Sequence, residues 1–356
     1  MTRQRFIVLM VAALVAISAA LYLSTQRNLP RDPRGSAFLP SLASEVNTVT
    51  SLSVLKGSTT PTVTVRKQGE QWTVAERGDY PADVPKLRKL LLALSDAKVR
   101  EEKTSNPENY AIIGVEDPSL AGATGAQIEL VAQDGKHGVI VGKTAGGGNF
   151  VRRAAAKTSY IVEPGISFEA EPRYWIDTRL LDIPTDKIQS IDTKPAAGPG
   201  YSVRRVPADV GKPADAKPGN AAPAATKFVL DAVPSGRQAA DSQSLAPSPT
   251  AFSSLAADDV AAAGGIDFSK PSTVTITLTD ASVITLTGAA VGDKRWIQVA
   301  APKDASLSAK TGGRAFEISG YRYDGMFRPL EQLLVPKPPP PSAKAPPPSA
   351  RKPAPP

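Results

Sequence analysis

Apolar and polar residues alternate along most of this chain, and helical spacing interrupts only briefly. Thr62-Val63-Thr64-Val65-Arg66-Lys67 alternates, Gln68-Gly69-Glu70 supplies a turn, and Gln71-Trp72-Thr73-Val74 follows, which predicts a β-hairpin with Trp72 on one face. The period then changes. Pro81-Ala82-Asp83 opens a segment in which Val84, Leu87, Leu90, Leu91 and Leu94 recur at helical spacing as far as Ser95. Period two returns at residues 126–132, 138–141, 149–153 and 159–162, predicting four more strands.

The second half repeats this order. Residues 187–193 correspond to 48–54, 201–206 and 228–230 to the hairpin, and 250–255 to the helix. Residues 272–279, 282–287, 295–299 and 315–318 then correspond to the later strands. Ile112-Ile113-Gly114-Val115-Glu116-Asp117-Pro118 and Ala263-Gly264-Gly265-Ile266-Asp267-Phe268 hold equivalent places, each ahead of an alternating run. This pattern predicts an internal duplication of about 140 residues per copy, too long for a solenoid repeat and suited to a duplicated domain. The expected fold is therefore α+β: two related lobes, residues 35–183 and 184–335, each a mainly antiparallel sheet with one principal helix.

Three segments stand outside this pattern. Residues 1–34 carry Arg3 and Arg5, then an uncharged, proline-free apolar run over residues 6–23, then Arg27, Arg31 and Arg34. Such a run reaches the lower length for a helix crossing about 30 Å of hydrocarbon, so an N-terminal transmembrane helix is expected. Ser18-Ala19-Ala20 also offers a signal-peptide cleavage site, but the apolar run continues past it through Leu21, Tyr22 and Leu23. Arg3 and Arg5 draw the N-terminus inward while the later arginines oppose them. The expectation is a single-pass protein of the inner (cytoplasmic) membrane with its body facing the periplasm. Residues 207–226, rich in Ala, Pro, Gly, Lys and Asp, read as a flexible insertion. In residues 336–356, 11 of 21 are proline, so this basic tail cannot build a core and reads as disordered polyproline II.

Charge follows the same division. The net charge is +8, of which residues 1–34 and 336–356 hold +4 each, leaving the body neutral. A nucleic-acid-binding fold would carry its excess on one face of the body, so no nucleic-acid partner is expected. With no cysteine, the chain has no disulfide, thiolate metal site or thiol nucleophile.

The remaining candidates for chemistry are sparse. Gly142-Lys143-Thr144 matches the end of a phosphate-binding loop, but His137 stands where the first glycine belongs, and Ala145-Gly146-Gly147-Gly148 leads into a strand where a helix is needed. His137, the single histidine, sits in a turn without a metal-binding or nucleophile motif around it. Glu101-Glu102 and Asp258-Asp259 are adjacent acids that would have to converge across a cleft to act as a glycosidase pair; neighbouring residues on a strand face opposite ways. In Asn149-Phe150-Val151-Arg152-Arg153, one arginine is expected to stack on an aromatic ring and meet a carboxylate. Trp175, in Pro172-Arg173-Tyr174-Trp175-Ile176-Asp177, closes the first copy, and Trp72 and Trp296 read as core or lobe-edge anchors. No catalytic, cofactor-binding or metal-binding residue is expected; Arg152, Arg153 and Trp175 are the candidates for an interaction surface.

The ordered landmarks Phe38-Leu39-Pro40-Ser41-Leu42, Val46-Asn47-Thr48-Val49, Trp72, Tyr80-Pro81-Ala82-Asp83, Tyr110, Gly114-Val115-Glu116-Asp117-Pro118, Val141-Gly142-Lys143 and Phe150-Val151-Arg152 resemble the domain of unknown function 4340 (DUF4340) family. The resemblance runs from Phe38 to Leu334. It implies an anchored bacterial envelope protein, from a family whose members sometimes neighbour ABC-type transporter and gliding-auxiliary subunits, and it brings no catalytic residue. The insertion and the proline-rich tail depart from the family pattern. The expected function is a non-catalytic accessory or scaffold subunit of an integral membrane complex such as an ABC-type transporter. The alternatives are a periplasmic ligand-binding protein, an enzyme acting on envelope polysaccharide, and a structural tether.

Overall fold

The computed structural model describes residues 33–208, 226–247 and 249–335, with residue 13 and residues 15–18 of the N-terminal run in helical conformation. Most of the expected membrane helix, the insertion and the proline-rich tail lie outside the described residues. Among the described residues no helix is long and apolar enough to cross a membrane.

In chain order the strands are β1 Ser51–Leu55, β2 Val63–Gln68, β3 Gln71–Val74, β4 Tyr80–Pro81, β5 Lys98–Glu102, β6 Ala126–Ala132, β7 Gly135–Ala145, β8 Gly148–Arg153 and β9 Ser159–Glu163. They continue with β10 Arg179–Leu181, β11 Ile188–Lys194, β12 Tyr201–Pro207, β13 Thr226–Asp231, β14 Leu255–Ala256, β15 Asp259–Ala262, β16 Ser272–Leu278, β17 Val283–Val291, β18 Lys294–Ala300 and β19 Arg314–Ile318. Two compact units result: Met1–Lys67 with Pro85–Glu171, and Gln68–Val84 with Pro172–Pro356.

In the first unit the sheet runs β2-β1-β6-β7-β8-β9-β5, antiparallel throughout. Alternation decides its faces. Ala126, Ile128, Leu130 and Ala132 of β6 are buried, while Gln127, Glu129 and Val131 between them stay half-exposed. The helix Val84–Asp96 buries Leu87, Leu90, Leu91 and Leu94, the apolar stripe its spacing predicts. Each fully buried leucine contributes roughly 1.5–3 kcal/mol. Beyond the open end of this sheet the chain adds a cover of its own. The amides of Gly35 and Phe38 reach the carbonyls of Val99 and Ala97 at 2.7 Å each, the Val99 amide reaches Ser36 O at 2.9 Å, and Ala37 bridges Lys98.

The loop over this sheet explains three of its glycines. Gly114 closes the short helix Tyr110–Ile113 in the left-handed region (φ +74°). Its carbonyl lies so close to the sheet that a Cβ on Gly125 would stand 2.1 Å from it, and one on Gly142 would stand 2.3 Å from Ile113 O. Gly142-Lys143-Thr144 therefore lies in β7, at the register shift between Val141 and Thr144, and serves this close approach.

In the second unit the sheet runs β13-β12-β11-β16-β17-β18-β19-β15, again antiparallel. Shifting the labels by ten turns the first unit's order into the second's, from β2 to β5 and from β12 to β15. The cover recurs as well: β10 pairs antiparallel with β14, just ahead of β15, and the Ala257 amide reaches Thr178 O at 2.7 Å. The helix expected at 250–255 is corrected. Two short helices, Ser242–Leu245 and Pro249–Phe252, precede a strand, because Ser254 takes a positive φ of 47° and breaks the helix before Leu255.

Candidate functional site

Arginines singled out in the sequence turn out to be internal fasteners. Arg152 is 8% exposed; its guanidinium lies 4.7 Å from the centre of the Tyr110 ring and donates to Val115 O and Ala156 O at 2.9 Å each. Arg153 lies 4.8 Å from the Phe38 ring and donates to the Phe38 carbonyl. The expected stacking on aromatics is present, and backbone carbonyls take the place of the expected carboxylate. Trp175 is 1% exposed, in an edge-to-face pair with Tyr174 at 5.1 Å. Of the three residues expected at an interaction surface, Arg152 and Trp175 are buried and Arg153 is half-buried and engaged. The structure brings Arg152 and Arg153 together on β8 and leaves Trp175 in the other unit.

The other sequence candidates resolve similarly. His137 Nε2 lies 2.8 Å from Asp134 Oδ1 at the start of β7, a local turn contact. Glu101 belongs to β5, where Lys103 and burial act oppositely on it and the salt bridge with Lys103 at 2.7 Å holds the carboxyl below its usual range. Asp259 begins β15, the strand that ends the second sheet. Edge strands such as these two are legible as acid pairs in sequence yet missed as strands, because too few of their residues are buried and apolar: β5 buries only Val99 and β15 only Val260.

Asp259 leads to one of the open clefts of the second unit. A cleft of about 580 Å³ runs along β15, walled by Asp259, Ala261 and Ala262 on one side and by Glu76, Arg77 and Gly78 on the other, with Gly312, Gly313 and Arg314 at its end. Arg77 crosses it. Its Nε and second terminal nitrogen meet Asp259 Oδ1 and Oδ2 at 2.6 and 2.9 Å, a two-pronged pair with both side chains about one-fifth exposed. Arg314 adds a bond to Gly78 O at 3.2 Å.

Beneath this clasp sits Tyr80, fully buried, packed edge-to-face on Phe316 at 5.7 Å, with Lys310 and Arg314 at 5.8 and 5.5 Å from its ring. Burial first, and then the charge of Asp177, push the phenol well above its ordinary value, so it stays protonated. Asp177 in turn receives Lys310 Nζ at 2.9 Å and Arg179 Nε at 3.2 Å. Burial alone would raise its carboxyl; hydrogen bonds and charge from Lys310, with Arg179, bring it below the usual range. Asp177, Lys310 and Arg179 are fixed by one another, while the Tyr80 hydroxyl is buried without a hydrogen-bond partner among the described residues. A paired carboxylate and a phenol held protonated suit a rigid wall better than a proton-transfer centre. Among the described residues no three His, Cys, Asp or Glu side chains gather as metal ligands.

Residues 304–314 touch three clefts of this unit. Besides the β15 cleft they line a hydroxyl-rich one of about 360 Å³ with Thr285, Thr287 and Gln298, and an aliphatic one of about 610 Å³ with Leu180, Leu255 and Ile284. The helix Ala305–Thr311 within this stretch escapes a periodicity reading because seven residues show no apolar stripe. Its ends carry the signal: Asp304 accepts the Leu307 amide at 2.9 Å, and Gly312-Gly313 stops the helix.

Two antiparallel sheets with a few short helices make this an α+β protein whose open site is a sheet edge. Residues 72–274, more than half of the chain, match the family model described as Domain of unknown function (DUF4340), and the chain belongs to that family. No curated protein and no solved structure matches it.

Proposed function

We propose that the protein is a non-catalytic, membrane-anchored envelope component that binds partner proteins, an accessory or scaffold subunit of an integral membrane complex such as an ABC-type transporter. The apolar run over residues 6–23 is its single-pass anchor in the inner membrane, and the body works in the periplasm. The two units are copies of one domain. The shared strand order and the recurring cover strand at the same sheet end support that reading.

The observation that carries the functional reading is the cleft along β15, where an edge strand faces open space while the charged groups around it pair with each other. Sheet edges recognise extended polypeptide through main-chain hydrogen bonds. The test is a crosslinked, detergent-solubilised pull-down of the full-length chain, with mass spectrometry reading both partners and mature N-terminus. Enrichment of one integral membrane complex, with residues 6–23 retained, is expected; clean recovery as a monomer from mildly solubilised membranes would overturn the proposal. A ligand-binding role is the second reading, favoured by the aliphatic cleft of about 610 Å³, which falls in the roughly 300–1,000 Å³ range of small-molecule sites.

A further inference from the structure

The backbone of β15 has a phase. Asp259, Val260, Ala261 and Ala262 pair with Glu317, Phe316, Ala315 and Arg314 of β19, and the Ala263 amide reaches Gly313 O at 3.0 Å. In an antiparallel ladder the amides alternate in direction, so those of Ala261 and Ala263 face β19 while those of Val260 and Ala262 face the cleft. The Val260 amide is taken by a side chain: Asp259 Oδ1 accepts it at 2.8 Å, and the same oxygen accepts Arg77 Nε at 2.6 Å. Asp259 thus does two things at once. It blocks the outward edge at Val260 and ties the turn Ala75–Arg77 across the cleft. Covering an exposed edge with a charged residue is how sheets avoid unwanted pairing.

Just ahead of β15, the chain leading into this edge already accepts a strand. β10 lies antiparallel on β14, and in the first unit residues 35–38 lie on β5, the strand at the matching place in the order. Past β14 the added strand stops and the cleft begins, so a segment entering there would prolong a pairing the fold itself uses. Much of the lining suits a backbone: beside Trp296, the residues Gly78, Ala261, Ala262, Gly312 and Gly313 bring no bulk, and Arg77 and Arg314 offset Glu76 and Asp259.

We propose that the outward edge of residues 260–262 is a strand-addition site for an extended, uncharged, small-residue segment of a partner protein, and that the Arg77–Asp259 clasp guards it. The occupant follows from continuity with the β10–β14 pairing and from the balanced charge of the cleft. The chain's own residues 336–356 fit poorly, because proline lacks the amide a ladder requires. This inference rests on the partner-binding reading and names its surface.

Ala262 supplies a clean test. Its φ is −64°, the value proline fixes, and its amide faces away from β19, so Ala262→Pro removes one edge donor and leaves the sheet intact. A photo-crosslinking residue at exposed Gly264, in the full-length chain in its native membrane, then reports what lies beside the edge. The expected result is crosslinks to one contiguous segment of a partner, about tenfold weaker in Ala262→Pro at unchanged thermal stability and stronger in Arg77→Ala. Crosslinks equal in Ala262→Pro and wild type, or scattered over unrelated peptides, would overturn the site. A partner captured by a general crosslinker but never at position 264 would overturn the site and leave the partner-binding reading standing; no partner by either route would overturn both.

Discussion

Arg153 lies flat against the ring of Phe38, 4.8 Å from its centre, and donates through Nε at 3.0 Å and a terminal nitrogen at 2.5 Å to the Phe38 carbonyl. One side chain thereby holds both the ring and the backbone of the segment that covers β5. Phe38 itself is fully buried. Since residues 35–38 contribute only a few backbone bonds to the β5 edge, much of their attachment runs through this arginine.

Arg153→Ala is expected to lower stability by about 1–3 kcal/mol, the cost of a carbonyl left without its charged donors and of a lost stacking contact. Arg153→Lys should restore less than half of that, because an ammonium cannot lie over the ring as a plane while two fixed N–H groups converge on the one carbonyl oxygen. Urea midpoints at constant slope measure both. Full rescue by lysine would mean that charge alone mattered.

Gly142→Ala should be among the most damaging single-methyl changes in the first unit. Its Cβ would meet Ile113 O at 2.3 Å and Gly114 O at 2.7 Å, both backbone atoms that cannot swing aside. A loss of about 2–4 kcal/mol is expected, against under 0.5 kcal/mol for Gly264→Ala, which has open space. Thermal melts of the two variants decide it; equal melting temperatures would refute the close-approach account.

Much of this fold is legible in sequence because its strands are half-buried and alternate. β6 falls at residues 126–132 as expected, and β16 and β18 differ from expectation by a residue at their ends. What periodicity misses are the elements whose apolar content is thin. β5 exposes all its residues but Val99, and β15 buries only Val260, so both edges read as acidic loops. The candidate site depends on those edges. Nothing in sequence places Arg77 against Asp259, 182 residues apart, since a long-range pair leaves no local pattern. Arginine stacking on β8 was legible in kind, but the partners Tyr110 and Phe38 come from segments whose return to the sheet only the fold reveals.

Two aspartates near the β15 cleft should respond oppositely to pH. Asp177 is held below its ordinary value, so its pairing with Lys310 stabilises the fold above the unfolded value of about 3.9 and is lost as pH falls through the lower folded value. Asp258 is raised, first by burial and then by Glu317, so its ionisation weakens the fold as pH climbs from the unfolded value through the raised one. Near neutral pH, Asp177→Asn should cost about 1–2 kcal/mol, between an exposed and a buried pair. Asp258→Asn should raise the melting temperature there, with both differences vanishing in strong acid. Melts across pH for the two variants test the signs; a stabilising Asp177→Asn would contradict the geometry.

The guarding role of Asp259 separates two consequences that an ordinary salt bridge would not. Removing either partner breaks the pair with Arg77, but only Asp259→Ala also uncovers the Val260 amide on the sheet edge. Both variants should lose about 1–2 kcal/mol, because each side chain is mostly buried and a lone survivor stays without its partner. Self-association should appear in Asp259→Ala alone, since an uncovered edge can pair with the same edge of a second molecule. Sedimentation of the two variants at rising concentration distinguishes them. If both remain monomeric, Asp259 serves only the ion pair; if both associate, the turn Ala75–Arg77 is what shields the edge, and the side-chain cap on Val260 is incidental.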